Sequence, residues 1–241
     1  GPMPKVIMVT LPDIDLPEKG DKFAAASGAL DKLTVEVLSQ ELLPYIDKMF
    51  RTQPYRLIEG FSSWGNFPLY VFRYQPQLFN AYLVFSPALE LDKSGLVESF
   101  TDFEVTKDYR NRFLFVSVGD LSGNGKRKDQ DFLALETSLM PHAGRLGLTL
   151  HFSDLRDRNY IATPVIGLNQ GVSALFADRA PDMRLFDESG YRGLKAYFQE
   201  LASKYGYALD SNSAAIDLSF YYLGQGKKER ALDTMAQIVD L

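Results

Sequence analysis

The residue with the clearest chemical potential is a serine in a short turn between a predicted strand and a predicted helix. The run Arg56–Glu59 is typical of a strand and ends at Gly60, and Ser62 follows before a helical pattern that begins at Phe67. In such a turn, the nucleophile elbow, a serine oxygen is held at the upper edge of a parallel sheet. The backbone N–H of the next residue, Ser63, would then donate a hydrogen bond to an oxyanion.

The elbow departs in one position from the usual pattern G-x-S-x-G. Trp64 occupies the place of the second glycine, and a glycine follows one place later, at Gly65. We expect the indole of Trp64 to crowd the cleft, because it replaces a residue that has no side chain. The alternative is that Gly60 to Ser63 form an ordinary turn, in which a serine serves only to cap the helix.

The composition excludes several other kinds of chemistry. The chain has no cysteine, which excludes disulfide scaffolds, thiolate metal sites and cysteine nucleophiles. Its two histidines, His142 and His151, lack the spacing of metal ligands, and we expect neither a metal nor a cofactor. The net charge is -5 with acidic and basic residues interspersed, so no basic face predicts binding to nucleic acid. No apolar run approaches the roughly 18 residues of a membrane span, and no membrane partner is expected.

The elements that must position the serine are predicted from apolar periodicity. Short β-branched or aromatic runs, typical of strands, occur at residues 6–10, 56–59, 80–86, 113–118 and 148–152. Longer helical patterns separate most of them. This alternation predicts an α/β fold with a mostly parallel sheet and helices on both faces. Ligands bind such sheets beyond the carboxyl ends of the strands, which is where Ser62 is expected.

Two helical regions complete the prediction. Residues 33–50 have a helical pattern that Pro44 should kink or restart. The last part of the chain contains three amphipathic helical patterns, at about 191–205, 213–223 and 228–239. We therefore expect an α/β domain at residues 4–188 and a small helical extension at residues 189–241. Leu218, Tyr222, Ala231 and Met235 stand at the offsets of one tetratricopeptide-like hairpin.

A longer stretch around the elbow has recognisable motifs. It contains E-L-L-P at residues 41–44, R-T at 51–52, G-F-S-S-W-G-N-F-P-L at 60–69 and P-Q-L-F-N-A-Y-L-V-F-S-P at 76–87. These resemble the E-L-I-P, R-T, G-H-S-x-G-G-L-F-A-L and P-x-x-F-x-A-Y-I-A-x-S-P motifs of the esterase D family, in its bacterial enterobactin- and siderophore-esterase-like branch. The resemblance covers roughly residues 4–176. It implies an α/β-hydrolase fold and a serine that attacks carboxylic esters.

The resemblance also implies where the partners of Ser62 should lie. Asp120 directly follows the predicted fourth strand and occupies roughly the position of the family's catalytic acid. The family's histidine precedes a G-L-x-x-L-F ending, which here is residues 171–176, and the matching position is Tyr160. A phenol cannot replace imidazole as a base at neutral pH without help. We expect His142 at the opposite end of the sheet and His151 inside a strand, so that neither reaches Ser62.

The family places three strands before the one that matches residues 6–10. One of them lies between that strand and the elbow strand, and the loop after it supplies a second oxyanion donor. Residues 1–5 are too few to provide them. Relative to the family, the chain is therefore expected to be truncated at its N-terminus. The sheet would then close the gap or pair with another chain, and closure is the expected outcome.

Three functions are compatible with these residues. The first is an active serine esterase that acts on siderophore-type or simple acyl esters. The second is a weak or inactive pseudo-hydrolase that keeps Ser62 at the elbow and uses the cleft or the helical tail for binding. The third is a non-enzymatic module for interaction or oligomerisation. The missing histidine and Trp64 favour the second function. A small ester is the expected ligand, and self-association into a homo-oligomer is left open.

Overall fold

The computed structural model describes residues 4–11, 28–92, 94–101, 107–119, 125–144 and 147–239. The chain divides into two compact units. The larger unit comprises Ile7–Thr52 and Arg56–Val172, and the smaller unit comprises Gly1–Val6, Gln53–Tyr55 and Ser173–Leu241. Within the described ranges, no helix is both long enough and apolar enough to cross a membrane.

The larger unit is built on a parallel sheet of four strands in chain order. The strands are Leu57–Phe61 (β1), Ala81–Phe85 (β2), Arg112–Gly119 (β3) and Leu148–Leu155 (β4). All three pairings are parallel, with Gly60 opposite Val84 and Phe61 opposite Phe85. These strands confirm the predicted α/β fold and lie within a few residues of their predicted positions.

In the larger unit, helices precede the first strand and follow each of the four strands, and the helical patterns of the sequence predicted most of them. They are Gly28–Val37 (α1), Leu43–Met49 (α2), Asn66–Tyr74 (α3), Leu96–Thr101 (α4), Gly125–Leu139 (α5) and Thr163–Leu175 (α6). The helix that was predicted to kink or restart at Pro44 is continuous through that residue, with a π-helical segment, Leu38–Leu42, between α1 and α2. Proline has no N–H and its ring crowds the carbonyl four residues earlier, which the wider π-helical turn before Pro44 accommodates.

Helices cover both faces of the sheet. On one face, Tyr82, Val84, Leu114 and Val116 belong to the main hydrophobic core, together with Phe72 of α3. On the other face, α6 approaches the strands closely through its glycines. A Cβ atom on Gly167 would lie 2.6 Å from the Phe85 ring, and one on Gly171 would lie 3.0 Å from Leu83. Glycine at these positions therefore sets the distance between α6 and the sheet.

The predicted strand at residues 6–10 is wrong. Residues 4–11 have no regular secondary structure, and Met8 is 77% exposed. The predicted closure of the sheet is also not found, because residues 4–11 do not pair with β1, which is an edge strand among the residues that the structure describes. An apolar, β-branched run favours a strand, but a strand forms only where neighbouring backbone groups accept its hydrogen bonds.

The smaller unit is helical and has its own core. Its helices are Gly190–Tyr205 (α7), Asn212–Gly224 (α8) and Lys228–Val239 (α9). Leu194, Phe198, Leu218 and Tyr222 are buried in this core. Met235 is 39% exposed, and the tetratricopeptide-like character of the α8–α9 pair stays a prediction.

The C-terminal segment of the smaller unit starts at Ser173, and the separate extension at residues 189–241 stays a prediction. The Tyr205 hydroxyl donates hydrogen bonds to the Leu175 carbonyl (3.1 Å) and to the Asp178 carboxylate (2.7 Å). The Tyr205 and Phe176 rings also stack with centroids 6.0 Å apart. These contacts join residues 175–178 to α7, which explains why the division falls near residue 173.

We predict that Gly167→Ala destabilises the larger unit by about 1–3 kcal/mol, because the new methyl group would overpack the buried Phe85 ring. Asn169→Ala, an exposed position on the same helix, should change the free energy of unfolding by no more than about 0.5 kcal/mol. Urea unfolding followed by the fluorescence of Trp64, the only tryptophan, measures both values. Equal stability of the two variants would contradict close packing of α6 on the sheet.

Candidate active site

Ser62 lies at the carboxyl end of β1, where the chain turns into a helix. β1 ends at Phe61, a 3-10 helix occupies Ser62–Gly65, and α3 begins at Asn66. Ser62 has φ +60°, a left-handed conformation that is uncommon for a residue with a side chain. The strained strand-to-helix turn expected of a nucleophile elbow is therefore present, and such strain is common at functional sites.

The two glycines of the elbow are required by the close approach of backbone to backbone. A Cβ atom on Gly60 would overlap the carbonyl group of Trp64. A Cβ atom on Gly65 would lie 3.1 Å from the Pro87 Cα atom and 3.4 Å from the Gly60 carbonyl oxygen. Gly65 stands one place later than the second glycine of the usual pattern. The 3-10 helix accommodates this shift, because it brings Gly65 against Gly60.

The segment after β2 holds the elbow in place. The Ala88 N–H donates to the Ser62 carbonyl (2.9 Å), and the buried Asn66 amide donates to the Ala88 carbonyl (2.9 Å). Ser86, with φ +41°, accepts a hydrogen bond from the Gly119 N–H through its hydroxyl (2.9 Å). Neither Asn66 nor Ser86 was predicted from the sequence as a site residue. The S-P pair at residues 86–87 was a signal for Ser86, and Asn66 lies inside the elbow motif at residues 60–69.

Ser63 and Trp64 occupy the first turn of the 3-10 helix after Ser62. The N–H groups at the start of a helix have no acceptor within that helix, which leaves the Ser63 N–H suited to the predicted oxyanion role. Trp64 is 46% exposed and does not line the cavity described below, so the expected crowding is not visible there. The role of each of these residues stays a prediction.

Neither histidine lies near Ser62. His142 ends a 3-10 turn that precedes β4, so it lies toward the amino ends of the strands, whereas the elbow lies at a carboxyl end. His151 lies inside β4, opposite Phe115, and burial lowers the pKa of its imidazole. Because β4 is three strands away from β1, about 14 Å separates His151 from the elbow strand. Imidazole is therefore outside hydrogen-bond reach of the Ser62 hydroxyl.

Tyr160, the residue in the family's histidine position, lies beside the elbow. It begins a 3-10 helix, Tyr160–Ala162, that directly precedes α6. The ring centroids of Tyr160 and Phe61 are 4.9 Å apart, and Phe61 immediately precedes Ser62. Asp120, the expected acid, lies outside the described residues, which end this stretch at Gly119, the last residue of β3.

A cavity of about 220 Å³ adjoins the elbow on the α6 side of the sheet. It is lined by Glu59, Gly60, Phe61, Phe85, Pro164, Val165 and Leu168. Burial raises the pKa of the Glu59 carboxyl. Among the residues that the structure describes, no group of three or more His, Cys, Asp or Glu side chains could hold a metal ion. The cavity therefore offers one ionisable group in an apolar setting.

A parallel sheet with helices on both faces and a strained serine at the carboxyl edge defines the class of the α/β hydrolases. Residues 1–139 match the model of the Esterase family, described as "Putative esterase". The chain belongs to this family. Membership of this family and the fold together support the assignment of the protein as serine-esterase-like.

Solved structures show the same fold. An IroE-like serine hydrolase from Shewanella oneidensis is similar with 21% identity and a TM-score of 0.66, over 87% of this chain and 66% of that one. The BES protein from Bacillus cereus is similar with 17% identity and a TM-score of 0.53, and the match covers 72% of this chain and 63% of that protein. The siderophore hydrolase EstB from Aspergillus nidulans is similar with 15% identity and a TM-score of 0.51, and the match covers 61% of this chain and 58% of that protein.

The chain thus spans under two thirds of the length of these three relatives. No curated protein matches it. At these identities the likeness shows the fold, and the activity has to be argued from the residues of the site.

We predict that Glu59→Gln raises the free energy of unfolding of the larger unit at neutral pH, by less than about 1 kcal/mol because Glu59 is exposed to solvent. A raised pKa means that the folded state disfavours the charged carboxylate. The gain should shrink as the pH falls through the pKa of Glu59, because the wild-type side chain then takes up a proton. Urea unfolding near pH 7 and near pH 5 measures the difference.

The exposed Glu36→Gln is the matched control and should show no such gain. A Glu59→Gln protein that is less stable than wild type at both values would mean that the carboxylate makes a favourable interaction in the fold.

Proposed function

We propose that this protein is an esterase-like α/β hydrolase that has become a weak or inactive pseudo-hydrolase and uses its cleft to bind a small ester-like ligand. The position of the two histidines carries the proposal. His142 lies toward the amino ends of the strands, away from the elbow, and His151 lies three strands away from the elbow. No imidazole can therefore take the proton from Ser62.

Ester cleavage by a serine requires that proton transfer. Attack of the hydroxyl on a carbonyl forms a tetrahedral adduct while the serine proton passes to a base, and the base later protonates the leaving group. Tyr160 beside Phe61 is the residue placed to contact a ligand where the imidazole would stand. A neutral phenol is a donor and a poor proton acceptor, so it favours binding of a carbonyl over its cleavage.

The geometry around Ser62 supports retention of a binding site. The Ser63 N–H is suited to donate to a carbonyl oxygen, and the cavity beside Phe61 can take an apolar group. Bound in this way, an ester would lie with its carbonyl at the elbow. Binding then depends on the oxyanion donor and the cavity, neither of which needs a base.

A second candidate is an active serine esterase that cleaves siderophore-type or acyl esters. The strained backbone of Ser62 favours it, because strain of this kind persists where function requires it. Similar structures include proteins named as a serine hydrolase and a siderophore hydrolase. This candidate needs a base other than histidine.

We predict that the protein hydrolyses p-nitrophenyl acetate no faster than its Ser62→Ala variant, because the hydroxyl has no base to activate it. A fluorophosphonate probe should likewise fail to label Ser62 above the level of the variant. Stopped assays of nitrophenol release and mass spectrometry of the probe-treated protein measure the two outcomes. Turnover and labelling that both depend on Ser62 would establish the active esterase instead.

We predict that Tyr160→His raises hydrolysis of the same ester by about tenfold or more, because it places imidazole beside the elbow and general-base catalysis contributes about 10²–10⁴-fold where it is well aligned. The gain should disappear in the Tyr160→His, Ser62→Ala double variant. Tyr160→Phe is the matched control, which keeps the ring and adds no base. Equal rates for the His and Phe variants would mean that residue 160 does not stand in the histidine position.

A further inference from the structure

Among the described residues that line the cavity beside the elbow, Glu59 alone has an ionisable side chain. The other lining residues come from β1, β2 and α6 and are Gly60, Phe61, Phe85, Pro164, Val165 and Leu168. None of them can donate a side-chain hydrogen bond to the carboxylate. In the sheet, Glu59 stands opposite Leu83, which is fully buried and apolar.

The carboxylate of Glu59 also has no partner among the other residues that the structure describes. Within the described residues, it takes part in no ion pair and no side-chain hydrogen bond. Glu59 is exposed to solvent, although the neighbouring residues shield its carboxyl group enough to raise its pKa. A positive charge placed in the cavity would stabilise the charged form of this carboxyl.

The position of Glu59 on β1 relates the cavity to Ser62. The two residues are separated by Gly60 and Phe61, and a strand rises about 3.3 Å per residue, so their backbones are about 10 Å apart. Phe61 lines the cavity and also contacts Tyr160. A ligand with its carbonyl at Ser62 can therefore extend an apolar chain past Phe61 and end near Glu59.

We propose that this cavity is a subsite for an alkylammonium group, so that the preferred ligands are esters or related carbonyl compounds that carry an amine at the end of a short apolar chain. Phe61, Phe85, Val165 and Leu168 contact the chain, and Glu59 pairs with the ammonium. The inference specifies the ligand of the proposed function. It rests on that function only in assigning the ester carbonyl and the ammonium group to one and the same ligand.

A different reading of Glu59 is that a charge on an edge strand discourages pairing with a second copy of the chain. β1 is such an edge strand, and charged residues are a common protection of exposed edges. On this reading Glu59→Gln would change the oligomeric state and leave ligand preference unaffected. The two readings therefore predict different results for the same variant.

The test compares two probes of equal length, n-hexylammonium and n-hexanol, which share the chain and differ in charge. Binding is measured on the full chain by saturation-transfer NMR and by quenching of the fluorescence of Trp64, which lies in the elbow. The variants are Glu59→Gln, in the subsite, and Glu36→Gln, an exposed carboxylate on α1 as the matched control. Size-exclusion chromatography of each variant records its oligomeric state.

We expect wild type and Glu36→Gln to bind hexylammonium about fivefold more tightly than hexanol, as an ion pair with an exposed carboxylate should allow. The preference should vanish in Glu59→Gln. It should also decrease with added salt, and in wild type as the pH falls through the pKa of Glu59. The last two measurements use unaltered protein and do not depend on the folding of a variant.

Equal binding of the two probes by wild type would overturn the inference, as would a preference that survives in Glu59→Gln. A Glu59→Gln protein that differs from wild type only in its oligomeric state would also overturn the inference. These outcomes are separate from those for the proposed function. An active esterase could show no preference for amines, and an inactive protein could bind hexylammonium strongly.

Discussion

The structure of the site depends on one close approach of the backbone to itself. Between β1 and α3 the chain turns so tightly that a side chain on Gly60 would overlap the Trp64 carbonyl, and Gly65 lies against both Gly60 and Pro87. This contact forces Ser62 into a left-handed conformation at the edge of the sheet. The hydrogen bond from the Ala88 N–H to the Ser62 carbonyl then fixes the turn to the end of β2.

A fixed serine is not by itself a nucleophile, and the sheet explains why. Parallel pairing in the order β1 to β4 places the elbow at one side of the sheet and His151 in the strand furthest from it. Tyr160, in the segment that follows β4, lies against Phe61 in the position predicted for the family's histidine. In the function proposed above, the groups around Ser62 bind a ligand without activating the hydroxyl, and Glu59 favours a positively charged ligand.

Much of the fold could be predicted because its signals are local. The runs at residues 80–86 and 113–118 are buried strands, and their continuous apolar character is what a sheet covered on both faces requires. Residues 6–10 have the same character and were predicted wrongly, since strand formation also needs a partner edge that a local pattern does not report. The cavity at Glu59 was missed for a similar reason, because its walls come from three separate elements.

The sequence by itself determined the parallel α/β class, the serine at the strand-to-helix turn and the lack of a histidine in the family's position, since each follows from residue type and spacing along the chain. Only the tertiary structure decided that a 3-10 helix accommodates the displaced Gly65, that β1 is an edge strand within the described part of the chain and that Tyr160 lies against Phe61. These features depend on distances between segments that are far apart in the chain. Backbone packing and strand order set those distances, and neither is encoded in a local pattern.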